Sequence, residues 1–376
     1  MRVLAVTHEA SRTGAVLAFL EALPVLRDLA TELVVVNKTP GPLSPRLQAA
    51  ADELLEVPRP LLSQGRRIAR VRGLDRFVPR IERTIAHSVV RAVRPDFVYA
   101  STVLSSEYAT AAQQFGIPVC LHVHEAQPLS GWALGRSRVD VTRLPMVAPS
   151  EFIARELHEL SGMPVPVLLG PLRPLGAGDG GPTVDLPWTG DRLRVVGCGS
   201  VAPWKGPAQW LAAAAELADV DGRTVEWAWV GSGDQLAALR AETQRRGLGD
   251  RVHWLGEQTE VAPFLASADL FALTSANEPL GLVLLEAAAV GVASVAFESG
   301  GVREILVDDR ALVPVGDVGQ LVARIGSALR NTALRAELLA ASRPALVASE
   351  PAHWRGRLAR VLDGVAHVRP PAGGGA

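Results

Sequence analysis

Short apolar runs alternate along the chain with longer amphipathic or alanine-rich runs, and this alternation restricts the possible folds more than any other feature. The short runs are rich in Val, Leu and Ile and carry few charges, as strands do in parallel sheets covered on both faces. The longer runs have helical spacing and suit crossover helices between such strands. We therefore expect an α/β fold built from doubly wound sheets.

Ten runs are predicted as strands. In the first half of the chain they cover 2–8, 32–37, 96–101, 118–124 and 145–150, and in the second half 193–200, 225–233, 251–256, 269–275 and 293–299. A helix is predicted over 75–93 with one apolar face. That face carries Phe77, Val78, Ile81, Ile85 and Val89.

The length of 376 residues exceeds what one hydrophobic core usually serves, so we expect two domains. A stretch dense in Pro and Gly around 163–190 reads as the linker between them. We predict Rossmann-like domains over 1–170 and 191–345, a linker over 171–190, and a segment over 346–376. This last segment is expected to form a helix that packs back on the first domain, followed by a frayed tail. Two such domains facing one another would form a cleft at the carboxyl ends of their strands.

The charge balance and the cysteines limit the function classes. Acidic and basic residues number 39 and 38, so no overall field attracts nucleic acid. Cys120 and Cys198 lie in strand-like runs without metal-ligand spacing, which favours free thiols in a reducing compartment. The apolar run before His8 is too short for a signal peptide, and no run of 18 apolar residues follows. These observations predict a cytoplasmic protein.

The stretch EPLGLVLLEAAAVG, 278–291, reads as a loop that leads into a buried helix. Pro279 suits a first helical turn and Gly281 permits close approach of a ligand, so the helix amides could face a diphosphate. Glu278, expected to point outward from the loop, and Glu286, two turns into the helix, can together accept hydrogen bonds from sugar hydroxyls. The alternative makes Glu278 a helix-start charge and Glu286 an exposed residue of a polar stripe.

The stretch Val230–Leu306 resembles, nearly end to end, the nucleotide-binding half of the retaining nucleotide-sugar glycosyltransferases of GT-B fold, family 4 (glycosyl transferases group 1). The resemblance rests on Glu278 and Glu286 in the Glu-x7-Glu element, with SADLF before them and GGVREIL after them. GCGSVAPWKGPAQWL, which ends at Leu211, resembles the family's glycine-rich turn followed by Lys-Gly. The resemblance implies a GT-B fold, with two Rossmann-like doubly wound domains facing across a cleft, the first on the acceptor side and the second binding the donor.

The resemblance also assigns roles to residues. It implies catalytic roles for Glu278 beside the donor sugar, Lys205 on the diphosphate and His124 on the donor sugar. Glu286 is expected to hold the ribose. The other donor contacts implied are Gly14, Ser200, Gly231, Glu257, Pro279, Leu280, Gly281 and Leu282.

Several of these positions have plainer interpretations. Lys205 alone reads as a solvated loop lysine, and Thr13 or Ser11 before Gly14 reads as a helix cap. His122 and His124 point to the same strand face and suggest either core histidines or a metal site, for which no third ligand is evident. Ser150 fits the family pattern and a helix cap equally well. Family members often carry an arginine ahead of the lysine where this chain has Gly199, and Arg12 or Arg303 are candidate substitutes.

The resemblance implies transfer of a sugar from a nucleoside diphosphate sugar to an acceptor hydroxyl, with retention of configuration. It implies no metal and no cofactor beyond the donor substrate. The acceptor is expected to be a small molecule, a glycan or a lipid-linked molecule. Two rivals remain: a nucleotide-sugar epimerase of the same two-domain plan, and a non-catalytic nucleotide-sugar binder.

Nine arginines between Arg66 and Arg94 form a charged series. The plainer interpretation is a solvated helix face. The alternative is contact with anionic lipid at the inner membrane face or with an acidic acceptor.

Overall fold

The computed structural model describes residues 1–57, 77–172 and 186–366. The chain divides into two compact units: the first comprises Met1–Pro171 with Pro351–Ala376, and the second comprises Leu172–Glu350. Each unit contains its own parallel sheet with helices. The α/β, doubly wound fold class predicted from the sequence is confirmed.

The first unit has a six-stranded sheet in the order β3-β2-β1-β4-β5-β6. All its pairings are parallel. The strands are β1 Arg2–Thr7, β2 Glu32–Asn37, β3 Glu53–Glu56, β4 Phe97–Ser101, β5 Val119–His122 and β6 Met146–Val147. From β1 the chain adds β2 and β3 on one side and then β4, β5 and β6 on the other, so the strand order reverses between β1 and β4. Open α/β sheets usually bind ligands at such a point.

Helices cover both faces of this sheet. They are α1 Gly14–Leu29, α2 Ser44–Ala50, α3 Val78–Val93, α4 Ser106–Gln114, α5 Leu129–Ser137 and α6 Glu151–Ser161. Alternate residues of β1 enter two separate cores: Leu4 and Val6 on one face, Val3 and Ala5 on the other. The period of two along a strand explains this division.

The helix Pro351–Ala366, numbered α14, belongs to the first unit although it follows the second in the chain. Its buried Trp354, Leu358 and Leu362 join the core formed by α1. Arg355 of α14 also donates to Glu21 of α1 at 2.6 Å. Both the packing and the ion pair therefore fasten this helix to the first unit.

The apolar face predicted for α3 is only partly buried. Ile85 and Val89 pack against the core, but the side chains of Phe77 and Ile81 are 43% and 40% exposed. Within the described residues, the part of this apolar face that packs on the core is the part that carries Ile85 and Val89.

The second unit has a seven-stranded sheet in the order β10-β9-β7-β11-β12-β13, with β8 paired to β9. Only the β8 pairing is antiparallel. The strands are β7 Leu193–Cys198, β8 Asp219–Val220, β9 Arg223–Val230, β10 Val252–Gly256, β11 Leu270–Leu273, β12 Ser294–Phe297 and β13 Leu312–Val313. The helices are α7 Pro207–Glu216, α8 Leu236–Arg245, α9 Ala262–Ala266, α10 Leu282–Ala289, α11 Val318–Arg330, α12 Thr332–Ala341 and α13 Arg343–Ala348.

Four tryptophans fill the core beneath one end of this sheet. The ring of Trp210 in α7 lies 5.2, 5.5 and 5.8 Å from those of Trp227, Trp229 and Trp254. Gly197 in β7 makes room for them, because a Cβ there would lie 2.6 Å from the Trp210 indole nitrogen. Large buried rings in edge-to-face contact stabilise the adjacent strands β7, β9 and β10 as one body.

The described chain re-enters the second unit at residue 186, and contacts with a buried carboxylate hold it there. Glu226 of β9 is fully buried and accepts hydrogen bonds from the Thr189 amide at 3.0 Å and from His253 Nε2 at 2.8 Å. Trp188 Nε1 donates to Ser267 Oγ at 2.7 Å. The chain segment that leads into β7 is thus anchored to the sheet. Most of the predicted linker, 173–185, lies outside the described residues.

Over the residues that the structure describes, no helix has both the length and the apolar character needed to cross a membrane. Of the arginine series, Arg66, Arg67, Arg70, Arg72 and Arg76 lie outside the described residues, whereas Arg80, Arg83, Arg91 and Arg94 lie on or directly after α3.

Candidate functional site

The loops that carry the predicted donor residues meet at the carboxyl edge of the second sheet. Strands β10, β9, β7 and β11 are neighbours in that order. Glu257 follows β10, Gly231 follows β9, Ser200 follows β7, and residues 274–281 connect β11 to α10. Because the carboxyl ends of parallel strands lie at one edge, the topology brings these segments together.

Glycines let the backbones of these loops approach closely. Gly231 has φ 137°, and a Cβ on it would lie 2.0 Å from the carbonyl oxygen of Gly199. Gly206, with φ 66°, would place a Cβ 2.0 Å from the carbonyl oxygen of Thr274. The Thr274 hydroxyl donates to the Gly206 carbonyl at 2.8 Å and thereby fixes the Lys205 turn against the loop after β11.

Lys205 lies in a short 3₁₀ turn, Pro203–Lys205, and forms an ion pair with Glu278. Its Nζ lies 2.6 Å from Glu278 Oε2, and the two side chains are 24% and 7% exposed. The expectation that Glu278 points outward was wrong, because this lysine, 73 residues away in sequence, draws the carboxylate inward. The interpretation of Lys205 as a solvated loop lysine was also wrong.

Gly281 precedes α10 and adopts the left-handed region, with φ 93°. Leu280 beside it is buried, and Leu282 opens the helix. Glu286, on the second turn, is only 7% exposed, so the alternative that it belongs to an exposed stripe was wrong. Pro279 lies between Glu278 and this buried leucine.

A second loop supports Glu278 through its backbone. The Gly301 amide donates to the Glu278 carbonyl at 2.9 Å, and a Cβ on Gly300 would lie 2.0 Å from that oxygen. These glycines belong to the GGVREIL stretch. Close backbone contact therefore explains why a glycine stands at position 300.

The arrangement suits an anion with attached hydroxyl groups. The first amides of a helix have no intrahelical acceptor, and the helix dipole favours negative charge at this end. Lys205 adds an ammonium group, while Glu278 and Glu286 supply buried carboxylates. A diphosphate joined to hydroxylated rings matches these groups.

Of the two candidate substitutes for the missing arginine, Arg303 is engaged by carboxylates of its own unit. Arg303 pairs with Glu298 at 2.6 Å and with Asp309 at 2.7 Å. Gly199 itself lies next to the lysine, since a Cβ on it would be 3.4 Å from Lys205 Cδ.

In the first unit, the loop after β1 is organised around the carboxylate of Glu9. Ser11 Oγ donates to Glu9 at 2.5 Å and Thr13 Oγ1 at 3.4 Å. The hydrogen bond from His8, assisted by these hydroxyls, lowers the pKa of Glu9 to about 2. The Thr13 side chain therefore does not cap α1, as the plainer interpretation required, although Gly14 does begin that helix. This role of Glu9 was not predicted from the sequence.

His122 ends β5 and His124 follows it, with ring centroids 4.2 Å apart. His122 Nδ1 lies 2.7 Å from the Tyr99 hydroxyl, and burial lowers the pKa of His122 to about 3. Burial, with the charges of His122 and His8, holds the pKa of His124 well below its ordinary value. Both imidazoles are therefore neutral near pH 7.

Nε2 of His124 is shielded from solvent and finds no hydrogen-bond partner among the described residues. A neutral ring with an unpaired nitrogen suits hydrogen bonding to a ligand. Within the described ranges, no group of three His, Cys, Asp or Glu side chains is placed to hold a metal ion.

Glu125 was missed by sequence reasoning. Its carboxylate accepts hydrogen bonds from the Val103 amide and from the His124 amide, both at 3.1 Å, and thus joins the loops after β4 and β5. Burial raises the pKa of Glu125.

Ser150 Oγ accepts from the Ile153 amide at 3.2 Å, so the capping interpretation of this serine is confirmed.

Comparison with known proteins places this geometry in context. Residues 185–343 match the family model described as glycosyl transferases group 1. A curated relative, the lipopolysaccharide core biosynthesis glycosyltransferase LpsD of Rhizobium meliloti (strain 1021), is 34% identical over 158 residues, which cover 42% of this chain and 45% of that protein. The glycogen synthase of Mycobacterium tuberculosis (strain CDC 1551 / Oshkosh) is 26% identical over 80% of this chain and 79% of its own length. For the first relatives, the matched segment spans less than half of their length.

A solved structure shows the same fold over nearly the whole chain. Anabaena Alr3699/HepE, in complex with UDP and glucose, aligns with a TM-score of 0.75 and 21% identity, covering 97% of this chain and all of that one. The GT-B fold expected from the sequence is confirmed by this likeness. That the two units face one another across a cleft stays a prediction.

Proposed function

We propose that the chain, whose residues 185–343 match the family model described as glycosyl transferases group 1, transfers a sugar from a nucleoside diphosphate sugar to an acceptor hydroxyl. The proposal includes retention of anomeric configuration, as in family 4, and independence of a metal ion. A hexose is the donor sugar proposed, as in hexosyltransferases. The acceptor proposed is a small molecule, a glycan or a lipid-linked molecule.

The observation that carries this proposal is the pairing of Lys205 with Glu278 at the start of α10. One ammonium group, one helix N-terminus and two buried carboxylates converge at the carboxyl edge of a parallel sheet. A structural ion pair alone would not require the left-handed Gly281 or the bare backbone at Gly300. These features suit a site that a ligand backbone or ring must approach closely.

In the proposed reaction, the bond between the sugar and the diphosphate lengthens before the acceptor oxygen attacks. Negative charge then grows on the leaving diphosphate, where Lys205 and the first amides of α10 would stabilise it. Once the diphosphate takes the lysine, Glu278 is free to accept hydrogen bonds from the donor sugar, and Glu286 from the ribose. His124, neutral and with an unpaired Nε2, is proposed to bind a hydroxyl of the donor sugar. No residue is assigned as nucleophile.

Donor binding is tested by thermal unfolding in the presence of UDP, GDP, ADP and TDP. UDP is the first choice because the Anabaena structure holds UDP. A nucleotide present at about 100 times its dissociation constant should add about 2.7 kcal/mol to the free energy of unfolding. A melting temperature unchanged by every nucleotide would remove the basis of the proposal.

Turnover separates the proposal from its two rivals. For a transferase, free nucleoside diphosphate appears at an appreciable rate only when donor and acceptor are both present. An epimerase converts the donor sugar without acceptor, and a non-catalytic binder releases nothing under any combination. The anomeric configuration of the product, read by NMR, tests retention, and activity after treatment with EDTA tests independence of a metal.

We also propose a cytoplasmic location with peripheral contact at the inner membrane face. Both cysteines, Cys120 and Cys198, are free thiols, which suits a reducing compartment. Fractionation of cells at low and high salt tests this, because a peripheral protein held by arginines is released by salt.

A further inference from the structure

A groove between α3 and α4 in the first unit encloses a cavity of about 290 Å³. From α3 it is lined by Arg80, Arg83, Thr84 and His87, and from α4 by Glu107 and Gln114, among others. The α3 residues follow the spacing i, i+3, i+4 and i+7, so they form one continuous face of the helix. That face carries two guanidinium groups and an imidazole toward one small space.

The acidic residue in the groove is already neutralised. Glu107 forms an ion pair with Lys38, and the side chains of both residues are largely buried, at 8% and 11% exposure. Lys38 also donates to the Leu104 carbonyl, which keeps the lysine fixed on the carboxylate. The charge that remains for a ligand in the cavity is therefore cationic.

The arginines around this groove lie close together. Burial, followed by the positive charges of Arg138, Arg136 and Arg80, lowers the pKa of Arg83. The nearby carboxylate of Glu82 is bound to Arg136 at 2.8 Å, and Arg83 Nη1 donates to the Arg136 carbonyl at 2.9 Å. Arg80 has no acidic partner in the described part of the chain. Like charges held this near one another repel, and a bound anion relieves that repulsion.

The other groups in the groove that can donate to a ligand are the His87 imidazole and the Gln114 amide, whereas the Thr84 hydroxyl already donates to the Arg80 carbonyl at 2.9 Å. The His87 ring packs against Phe115 with centroids 4.5 Å apart, which holds the imidazole at the cavity wall. The Thr84 hydroxyl and the Gln114 amide lie on the two sides of the cavity. Guanidinium groups match phosphate oxygens through paired N–H donors, and such charge-assisted hydrogen bonds are stronger than neutral ones.

We propose that this groove binds a phosphate group, held by Arg80 and Arg83 and flanked by His87 and Gln114. The site lies in the first unit and goes beyond the proposed transfer reaction, because phosphate binding here does not depend on the donor site of the second unit. The phosphate belongs either to a soluble phosphate monoester or to the headgroup of an anionic phospholipid. Both sources present the same dianionic or monoanionic oxygens to the two arginines.

The test compares Arg80→Gln with Arg91→Gln in the full chain. Both substitutions remove one positive charge from α3, but Arg91 lies in the last turn, is exposed and does not line the cavity. Glycerol 3-phosphate is titrated by calorimetry, and vesicles of equal parts phosphatidylcholine and phosphatidylglycerol are tested by co-sedimentation. Thermal unfolding verifies that each variant is folded.

The proposal predicts that Arg80→Gln weakens binding of one probe about tenfold, as expected for loss of a charge-assisted hydrogen bond. Arg91→Gln should change the same affinity by less than about twofold. Binding of glycerol 3-phosphate identifies a soluble monoester, and binding of vesicles alone identifies a headgroup. If neither probe binds, or if both variants weaken binding equally, the site does not exist. UDP affinity is measured in parallel; it should be the same in all three proteins, so failure of this site is distinguishable from failure of the donor site.

Discussion

The ammonium group of Lys205 lies 2.6 Å from the carboxylate of Glu278, and each is the counterion of the other. A diphosphate that binds at α10 must therefore take Lys205 from Glu278. In the proposed reaction, this exchange of partners would couple nucleotide binding to the release of a carboxylate for the sugar. The Lys205–Glu278 pair is neutral as a whole, so neither of these two charges is buried without a partner.

Replacement of Lys205 by Met should lower kcat about 10²- to 10³-fold, the usual effect of removing one group that stabilises charge in a transition state. The substitution also leaves the Glu278 carboxylate buried and unpaired, which should lower the free energy of unfolding by about 1–3 kcal/mol. The double variant K205M/E278Q should regain stability without regaining activity. Steady-state kinetics and urea denaturation measure the two effects, and a double variant that restored activity would contradict the assigned role.

Gly281→Ala should reduce both stability and nucleotide affinity. Its φ of 93° is unfavourable for alanine, and the new Cβ would lie 3.0 Å from Leu284 Cδ1. Gly291, just beyond the same helix, has φ 84° and open space around its Cβ position, so Gly291→Ala carries the backbone cost of about 1–2 kcal/mol alone. Calorimetric titration with UDP should show weakened binding for Gly281→Ala only. Equal UDP affinities in the two variants would mean that Gly281 does not contribute to nucleotide binding.

The free energy of unfolding should decrease as the pH is lowered, because His122 is buried and neutral. Its pKa is about 3 in the folded chain, against 6.5 for an ordinary histidine. Between these two pH values the imidazole is therefore protonated in the unfolded chain and neutral in the folded chain. The stabilising contribution is full above pH 6.5 and is lost as the pH falls toward about 3. Each such histidine adds a slope of about 1.4 kcal/mol per pH unit.

His122→Gln keeps an acceptor for the Tyr99 hydroxyl and removes the titrating ring. Urea denaturation of the variant between pH 6 and pH 4 should show a slope smaller by one proton. A slope equal to that of the parent chain would mean that His122 does not control this loss of stability.

Glu226→Gln should destabilise the second unit by about 2 kcal/mol. The fully buried carboxylate accepts hydrogen bonds from the Thr189 amide and from His253, and its charge lies 3.7 Å from Arg192 Nη1; a neutral amide loses the charge and one of the accepting oxygens. Glu216→Gln is the matched control, because Glu216 is exposed at the end of α7, and it should change stability by less than about 0.5 kcal/mol. Urea denaturation followed by tryptophan fluorescence reports on this unit, whose core contains four tryptophans.

The central strands were predictable because nothing in them competes with burial. Strand β2 begins and ends where the apolar run ELVVVN does, and β1 differs from its prediction by one residue. Strands β3, β8 and β13 were not predicted. Glu53–Glu56 has a charge at each end and lies at a sheet edge, and the other two span two residues each, so none has the pattern of a buried strand.

Side-chain directions in the candidate site were less predictable than its location. The order of motifs placed Lys205, Glu278 and α10 at one edge, but the inward turn of Glu278 depends on a partner 73 residues away. The hydroxyl of Thr13 likewise prefers the carboxylate of Glu9 to the helix amides that local pattern suggests. Sequence spacing predicts which residues lie near one another, whereas tertiary contacts determine the direction of these two side chains.

The position of α14 has a consequence for synthesis on the ribosome. All residues of the second unit leave the exit tunnel before Trp354, Leu358 and Leu362, which complete a core of the first unit. The first unit therefore waits, with the apolar face of α1 uncovered, while the second unit has every residue it needs to mature. A chain truncated after Glu350 would retain every residue of the second unit but would lack the helix that completes the first unit, so the first unit would be destabilised.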